Sequence, residues 1–432
     1  MRIAFLTTEF ITESYFSGGL ANYLDRVGRA LVRQGHSVDI FVVSDRNEQF
    51  DYEGVTVFRV KSTPHRHYLA KKLRLTLRVL LGSLALRRAV LRRHRACPID
   101  IVQATNYLGT GYALAKTKEI PVVTRLSSFA PLLRTANGQC AYLDEWIAEH
   151  IELISLRESQ GLYAPSSMLG KLVRQYEPLQ VDHLPPPFAR IDVEVDESLF
   201  SEVTRGHPYL LFFGTLSRLK GVDFISRNLE RILDENPGIH FVFVGKFGNQ
   251  EALRRSAGPH GNRVHRVDAV RKHQLLPFVR AARAVVIPSC IDNLPNACLE
   301  SMAEGRAVLT TSTSGFVGVI EDGRNGYLCD FGDDQRLCSQ IRRIVSLREE
   351  ELEVVGNRAR RTVESLFDVE ENTSQLVRYY EKVLETTREK SRLEYDRGKW
   401  VLSSPKAHRP VLQATSSMME QRADRGRRLS VG

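Results

Sequence analysis

The segment Ala284–Gly305, AVVIPSCIDNLPNACLESMAEG, predicts a buried strand, a polar loop and a helix in direct succession. Its first four residues are apolar, as in a strand covered on both faces, and Pro288 ends the strand because proline has no N–H to donate. A helix follows from Pro295 and ends at a glycine. This corner places two carboxylates eight positions apart, Asp292 in the loop and Glu300 in the helix. Because ligands bind at the carboxyl ends of parallel strands, the corner is a candidate ligand site.

Taken alone, two acids at this spacing are more typical of a solvated helix surface, and that alternative stays open. At 432 residues the chain is long enough for two domains with separate cores. Its six cysteines lack C-x-x-C spacing, which favours reduced thiols and argues against a zinc site. No apolar run approaches the roughly 20 residues of a membrane span, and the N-terminus is typical of a strand rather than a signal peptide. We therefore expect a cytoplasmic protein.

The chain begins with a βαβ unit. Arg2–Thr7 and Ser37–Val43 are predicted strands with a helix between them, and such a unit implies parallel α/β layering. Gly18 and Gly19 precede the helix. Since they have no side chains, the backbone can approach a ligand closely there, at a helix N-terminus that favours anions. The G-x-G-x-x-G of dinucleotide-binding oxidoreductases is absent.

A second series of alternating strands and helices begins near Tyr209. Pro185–Pro187 and the polar residues up to Gly206 separate it from the first series. A cleft between two α/β domains is the default ligand site. We expect an N-terminal α/β domain at 1–187, a linker at 188–206, a second α/β domain at 207–370, a C-terminal helix at 371–396, and a basic, disordered tail at 397–432.

The loop Phe213–Gly221, FGTLSRLKG, carries two cations, Arg218 and Lys220. It lies between a predicted strand, Tyr209–Phe213, and a segment predicted as one helix, Val222–Leu233. Arginine can bind two phosphate oxygens at once, lysine acts as a mobile point charge, and a helix N-terminus adds to the attraction. The loop therefore suits a diphosphate, with an ordinary basic turn as the alternative.

Together these segments resemble the retaining glycosyltransferases of family 4, the group 1 glycosyl transferases with a GT-B fold. The corner is similar to the family's E-x7-E region in the form D-N-L-P-N, and Gly18-Gly19-Leu20 and Gly35-His36-Ser37-Val38 match its G-G-L and G-H-x-V. The resemblance implies two Rossmann-like, doubly wound α/β domains facing a central cleft, with C-terminal crossing helices. The domain at 1–187 would then be the acceptor side, the domain at 207–370 would bind the nucleotide sugar, and the helix at 371–396 would pack back on the first domain. It also implies sugar transfer from a nucleotide-diphosphate sugar to a hydroxyl acceptor with retention of configuration, in cell-surface polysaccharide or glycolipid synthesis.

The resemblance also implies roles for single residues. Glu300 would accept hydrogen bonds from the ribose hydroxyls, and Asp292 would contact the donor sugar where relatives usually have a glutamate. Lys220 stands at the family's phosphate-binding lysine, Thr215 replaces its arginine, and Arg218 is our candidate substitute. The expected catalytic set is Asp292, Lys220 and Arg218; the expected donor-binding set is Gly18, Gly19, Gly214, Thr215, Arg218, Lys220, Gly245, Lys246, Asp292, Asn293, Leu294, Pro295, Asn296, Ala297 and Glu300.

The acceptor side departs from the family pattern P-V-V-x-T-x-H. In the run Pro121–Ser127, Ser127 stands where relatives carry histidine. Arg125 could reach the leaving diphosphate or the acceptor, or could be an arginine at the edge of the core. We take both as acceptor-side candidates. No side chain is an evident base, and the leaving phosphate can take the proton.

Several classes of enzyme lack support in the sequence. There is no G-x-S-x-G, H-E-x-x-H or P-loop, and no D-x-D that would hold a metal–diphosphate complex. We therefore expect no metal and no cofactor. Two alternatives to the transferase stay open: a sugar-nucleotide 2-epimerase with the same architecture, and a non-catalytic nucleotide-sugar-binding protein.

The formal charge of +10 is concentrated in places. Arg66–Arg95 contains ten Lys/Arg residues and no acid. Within it, Leu69–Arg95 is predicted as one or two helices with leucines on one side. A solvated surface helix and peripheral contact with an anionic membrane that supplies a lipid-linked acceptor are both open. Nucleic acid is not indicated because base-reading motifs and interleaved aromatics are missing.

Overall fold

The computed structural model describes residues 1–13, 18–62, 72–136, 138, 142–190, 192–246 and 249–403, with the backbone alone from 391 onward. Two compact units, Met1–Tyr380 and Glu381–Gly432, divide the chain. The first unit contains two β-sheets, and the second contains the end of the last helix. The basic tail beyond Ser403 lies outside the described residues, and so do the first residues of the basic segment Arg66–Arg95, because 63–71 are not described.

The first sheet has eight strands in the order β3-β4-β2-β1-β5-β6-β7-β8. Its strands are β1 (Arg2–Thr7), β2 (Ser37–Ser44), β3 (Glu48–Tyr52), β4 (Val55–Lys61), β5 (Ile101–Thr105), β6 (Val122–Arg125), β7 (Gly161–Ala164) and β8 (Asp182–His183). Its helices are α1 (Gly19–Arg33), α2 (Arg74–Ala96), α3 (Tyr112–Thr117), α4 (Ala130–Ala136), α5 (Leu143–Glu158) and α6 (Ser167–Tyr176). All pairings are parallel except that of β3 with β4. β5 and β6 are buried at every position, as expected of strands covered by helices on both faces.

The second sheet has six parallel strands in the order β11-β10-β9-β12-β13-β14. Its strands are β9 (Tyr209–Phe213), β10 (His240–Val244), β11 (Val264–Val267), β12 (Ala284–Ile287), β13 (Val308–Thr311) and β14 (Tyr327–Cys329). The helices of this part are α7 (Ser198–Thr204), α8 (Val222–Ser226), α9 (Leu229–Glu235), α10 (Gln250–Ser256), α11 (Lys272–Ala281), α12 (Asn296–Ala303), α13 (Asp334–Ser346) and α14 (Glu349–Leu366), followed by α15 (Val369–Ser403). Short 3-10 turns lie at Tyr107–Gly109, Arg218–Lys220 and Gly258–Arg263.

The predicted fold class of two parallel α/β sheets followed by C-terminal helices is confirmed. One helix was predicted wrongly: Val222–Leu233 is two helices, α8 and α9. The break has a local cause, since the side chain of Asn228 donates to the carbonyl of Phe224 at 2.9 Å and to Asp334 at 2.7 Å. An asparagine that bonds nearby backbone in this way competes with a continuous helix.

The start of α15 contacts the first sheet within the unit Met1–Tyr380. Tyr379 donates to the carbonyl of Leu162 at 3.1 Å, and Tyr380 donates to the side chain of Gln103 at 2.5 Å. No helix of the described residues combines the length and the apolar content that crossing a membrane requires. The five described cysteines are free thiols.

Candidate functional site at the carboxyl ends of the strands

The loops after β9 and β12 touch through their backbones. The N–H of Cys290 donates to the carbonyl of Leu219 at 2.8 Å. Gly221 has a φ of +81°, and a Cβ atom there would lie 2.0 Å from the carbonyl oxygen of Pro288. Only glycine allows this approach, because any side chain would collide with backbone. The contact holds the Arg218–Lys220 turn beside Asp292.

Lys220 and Asp292, two of the residues predicted to act in catalysis, form an ion pair. The Lys220 side chain is 35% exposed and that of Asp292 is 16% exposed, so both reach solvent from a partly buried position. Burial lowers the pKa of Lys220, but the adjacent Asp292 carboxylate outweighs burial and the net pKa is raised. Lys220 is therefore a cation that shares its charge with Asp292.

Glu300 forms a second ion pair, with Lys272 at the start of α11. Burial lowers the pKa of Arg26 in α1, an effect that the charge of Glu300 opposes, so Arg26 also lies within its electrostatic reach. The Arg26 guanidinium lies over the ring of Phe188 at 4.5 Å. Glu300 is thus not merely a solvated helix carboxylate. Sequence analysis missed Lys272 and Arg26, because neither lies in a motif and only the fold brings them to α12.

The remaining predicted phosphate-loop residues lie at the ends of β9 and β10. Gly214 donates its N–H to Val244 at 2.9 Å, and Gly245 donates to Val267 at 3.0 Å. Thr215, Arg218 and Lys246 are exposed. Of these residues, Arg218 lies in the same 3-10 turn as Lys220 and supplies an exposed cation there.

Asn293 joins the two sheets' loops. Its side-chain amide donates to the carbonyls of Leu126 at 3.1 Å and Ser127 at 3.2 Å, and its oxygen accepts from the Ser166 hydroxyl at 2.6 Å. Ser166 caps α6 at the same time, accepting from the N–H of Leu169 at 3.3 Å. Both ends of the Asn293 amide are therefore engaged with the N-terminal half.

Other residues of the D-N-L-P-N segment pack closely at the same junction. A Cβ atom on Gly19 would lie 3.0 Å from the side-chain nitrogen of Asn296, so the paired glycines of the first half face the start of α12. Leu294 and Ala297 pack partly buried against the core of the second half, and Pro295 is the N-cap residue of α12. The first N–H groups of α12 consequently point to the junction of the two halves.

Gly315 is the second glycine that the geometry requires. A Cβ atom at Gly315 would lie 1.3 Å from the carbonyl oxygen of Asn293, and its N–H donates to the carbonyl of Asp292 at 2.8 Å. The loop after β13 therefore packs against the backbone of Asp292 and Asn293 and fixes its position.

The acceptor-side candidates Arg125 and Ser127 lie together, at the end of β6. Arg125 donates to the Ser127 hydroxyl at 2.8 Å and is only 7% exposed. The Ser127 N–H donates to Asn106 at 2.7 Å, and Asn106 in turn donates to Glu152 at 2.7 Å. Burial raises the pKa of Glu152 to about 8 although the Asn106 hydrogen bond opposes it, so Glu152 is neutral at pH 7. Sequence analysis missed Asn106 and Glu152, which lie outside the motifs.

The loops at the carboxyl ends of the strands of the two sheets thus contact each other. The second sheet's side of this junction carries the ion pairs of Lys220 with Asp292 and of Lys272 with Glu300. This arrangement of two α/β domains is the GT-B fold, and solved structures show the same fold. Sucrose-phosphate synthase from Thermosynechococcus elongatus matches with a TM-score of 0.72, covering 89% of this chain and 100% of that chain at 18% identity. HepE of Anabaena in complex with UDP-glucose matches with a TM-score of 0.65, covering 88% of this chain and 100% of that chain at 18% identity.

Sequence comparisons place the chain in the same family. The family model described as "Glycosyl transferase 4-like domain" matches residues 18–185, and the model "Glycosyl transferases group 1" matches residues 207–346. An uncharacterised glycosyltransferase of Methanocaldococcus jannaschii is 27% identical over 346 residues, which cover 76% of this chain and 84% of that protein. The chain belongs to the glycosyltransferases of this GT-B family.

Proposed function

We propose that the chain transfers a sugar from a nucleotide-diphosphate sugar to a hydroxyl acceptor with retention of configuration and without a metal ion. The observation that carries the proposal is the pair of ion pairs at one corner, Lys220 with Asp292 and Lys272 with Glu300. Cations and carboxylates in one place match a ligand that carries both phosphates and hydroxyls. The solved complex of HepE with UDP-glucose shows such a ligand on the same fold.

The diphosphate would be held by positive groups at the edge of the second sheet. Negative charge builds on the departing diphosphate during transfer, so preorganised donors aimed at it lower the barrier. Lys220, the exposed Arg218 and the first N–H groups of α12 are placed to supply them. Lys220 would exchange part of its interaction with Asp292 for a phosphate oxygen.

The two carboxylates would divide the rest of the donor. Glu300 would accept hydrogen bonds from the ribose hydroxyls, and Asp292 would contact the sugar. The acceptor would enter beside Ser127, which lies opposite Asp292 because Asn293 ties the two loops. With the acceptor hydroxyl on the same face as the leaving group, the phosphate itself can take the proton, which favours retention.

The decisive experiment is a panel of nucleotide sugars screened by thermal stabilisation of the full chain, followed by transfer and hydrolysis assays. A ligand at about 100 times its Kd adds roughly 2.7 kcal/mol of stability. Lys220→Ala should weaken binding of the selected donor by about 1.5–3 kcal/mol, the value of a charge-assisted hydrogen bond. Arg231→Ala is the matched control, because it removes the same charge from an exposed pair with Glu235.

The assays also separate the alternatives. Transfer with unchanged anomeric configuration, seen by NMR and insensitive to EDTA, supports the proposal; epimerised free nucleotide sugar would indicate the 2-epimerase instead. Binding without any transfer or hydrolysis would leave the non-catalytic binding protein. Equal donor affinity in Lys220→Ala and Arg231→Ala would remove the diphosphate assignment.

We further propose that the N-terminal half contacts an anionic membrane. Most leucines of α2 pack partly buried against the protein, so exposed apolar surface must come from elsewhere. It lies at the start of α5, where Tyr142 is 77% exposed, Leu143 66% and Trp146 50%. Asp144 accepts from the N–H groups of Leu75 and Thr76 and so ties this apolar patch to the basic start of α2.

Exposed cations on α2 and exposed apolar side chains on α5 are the two signals that reversible membrane binding needs. A truncated protein that ends at residue 403, and so lacks the basic tail, should float with anionic but not with neutral vesicles at low salt. Trp146→Ala should reduce flotation, whereas Tyr176→Ala, similarly exposed at 52%, should not. Equal flotation with both vesicle types would favour a soluble acceptor.

A further inference from the structure

Arg125 is a buried cation that the protein itself leaves almost without partners. A guanidinium has five N–H donors. The structure gives one of them a side-chain acceptor, the Ser127 hydroxyl at 2.8 Å, and leaves the buried Nε atom without any. Burying a charge is unfavourable unless opposite charge and hydrogen bonds compensate it. The residue therefore needs an explanation other than packing.

Nothing negative compensates Arg125 within the described part of the chain. No carboxylate lies within ion-pair distance of its guanidinium, and the undescribed stretches before residue 249 contain no Asp or Glu. Its neighbours are neutral rings and hydroxyls. The guanidinium lies over Tyr23 at 4.0 Å, and the Tyr23 and Tyr163 hydroxyls are 2.9 Å apart and already bonded to each other. Burial raises the pKa of Tyr163, so its hydroxyl stays neutral.

The position of Arg125 is next to the junction of the two halves. Its partner Ser127 has its N–H bonded to Asn106 and its carbonyl bonded to Asn293, which fixes the backbone and leaves the hydroxyl hydrogen able to donate. Tyr23 lies one helical turn after Gly19, which faces Asn296 at the start of α12. A ligand in the junction could therefore reach the guanidinium and the Ser127 hydroxyl together.

We propose that Arg125 and Ser127 form a receptor for a phosphate group on the N-terminal side of the cleft. A phosphate supplies the missing negative charge, accepts two hydrogen bonds from the planar guanidinium and accepts a third from the serine hydroxyl. The phosphate belongs either to the acceptor or to the donor. This inference rests on the proposed transferase function and gives it a substrate class: in the first case, the acceptor is a phosphorylated hydroxyl compound.

The test measures binding to the full chain with two sets of probes. Binding of inorganic phosphate and of glycerol 3-phosphate, measured with saturating UDP present, tests for a phosphate site on the acceptor side. The difference in affinity between UDP and UMP tests for a site that binds the distal phosphate of the donor. Arg125→Gln should weaken one set by about 10-fold to 100-fold, the range for hydrogen bonds to a charged group. Arg157→Gln, an exposed arginine of the same half paired with Glu177, is the control.

The outcomes separate this inference from the proposed function. Loss of phosphate and glycerol 3-phosphate binding in Arg125→Gln, with UDP binding kept, supports a phosphorylated acceptor. Loss confined to UDP, with UMP unaffected, supports a receptor for the donor's distal phosphate. Unchanged affinity for every probe overturns the inference, even where Lys220→Ala abolishes UDP binding and so upholds the donor site.

Two further variants keep the test decisive should Arg125→Gln fail to fold. Arg125→Lys retains the charge but not the planar pair of donors, so it should restore only part of the affinity. Ser127→Ala removes one donor from a partly exposed position and should weaken the same probe set several-fold. Wild-type affinity in both folded variants would show that Arg125 has a packing role only.

Discussion

The two sides of the cleft differ in whether their partly or fully buried charged side chains form ion pairs. On the C-terminal side two partly buried lysines at the corner are paired: Lys220 with Asp292, and Lys272 with Glu300. On the N-terminal side, among the residues that the structure describes, Arg125 is buried without a carboxylate partner and Glu152 is buried without a cation. Paired charges keep a site folded and ready in the absence of ligand. An unpaired buried charge is most stable when a ligand supplies the opposite charge. This is the basis of the phosphate receptor that we propose at Arg125 on the N-terminal side.

The largest effect is expected at Asp292, because its substitution turns Lys220 from a paired cation into an unpaired one, as Arg125 is. Asp292→Asn leaves the partly buried Lys220 without its ion-pair partner. We expect transfer to fall by about 100-fold or more through loss of the sugar contact, while affinity for the bare nucleoside diphosphate does not fall because Lys220 is released toward phosphate. Calorimetric titration with UDP and UDP-glucose, together with transfer rates, measures both.

Glu300→Gln is the matched comparison for Asp292→Asn, because it neutralises the other carboxylate of the same corner. It should weaken the nucleotide with and without its sugar, since Glu300 is assigned to the ribose. If both variants change the affinities for UDP and UDP-glucose to the same degree, the division of labour between the two carboxylates is wrong.

A smaller effect is expected at the residue that joins the two sides. Asn293→Asp places a carboxylate against the carbonyl oxygens of Leu126 and Ser127, so two donated hydrogen bonds become repulsive contacts. We expect a loss of about 1–3 kcal/mol in the free energy of unfolding, measured by urea denaturation, and a lower transfer rate.

Asn249→Asp is the control for this substitution. Asn249 caps α10 by accepting from the N–H of Ala252 at 3.1 Å, and aspartate caps helices equally well. Equal stability of the two variants would mean that the Asn293 contacts do not join the halves in solution.

The smallest predicted effect is a pH dependence of opposite sign in the two halves. His240 stacks between His207 and His265 near Arg263, and burial followed by these positive neighbours lowers its pKa to about 4. The unfolded chain therefore binds more protons between pH 6.5 and 4, and stability falls as pH falls through this window. Glu152 has its pKa raised to about 8 by burial, so its contribution to stability is lost as pH rises from about 4.5 to 8.

Thermal melts across pH separate these two contributions. Compared with wild type, His240→Gln should flatten the acid side of the profile, and Glu152→Gln should flatten the alkaline side, each by about 2 °C or more in Tm. Burial, together with the nearby charges of Arg254 and Arg205, also lowers the pKa of His265 in the same cluster. Part of the loss of stability at acid pH should therefore remain in His240→Gln. Identical profiles for all three proteins would contradict both assignments.

Much of this architecture could be read from local sequence. β1, β2, β9 and β12 were predicted within one residue at each end, because short apolar runs between turn residues have few other stable structures. The corner at Asp292 and Glu300 and the loop at Lys220 were also found from residue type and order alone. β3, with the sequence EQFDY, was missed because a half-exposed edge strand has no apolar pattern.

What the sequence could not decide is which residues meet across the fold. Lys220 and Asp292 are 72 positions apart, and Arg125 meets Tyr23 from a different strand and helix. Local composition showed each of these side chains to be polar or charged, but not whether a partner would neutralise it. That depends on burial and on distances between separate strands and helices, since the energy of a charge is set by its surroundings rather than by its neighbours in sequence. The sequence alone therefore determined the kind of protein and the corner that we propose as the donor site, and only the tertiary structure decided which of the charged side chains form ion pairs.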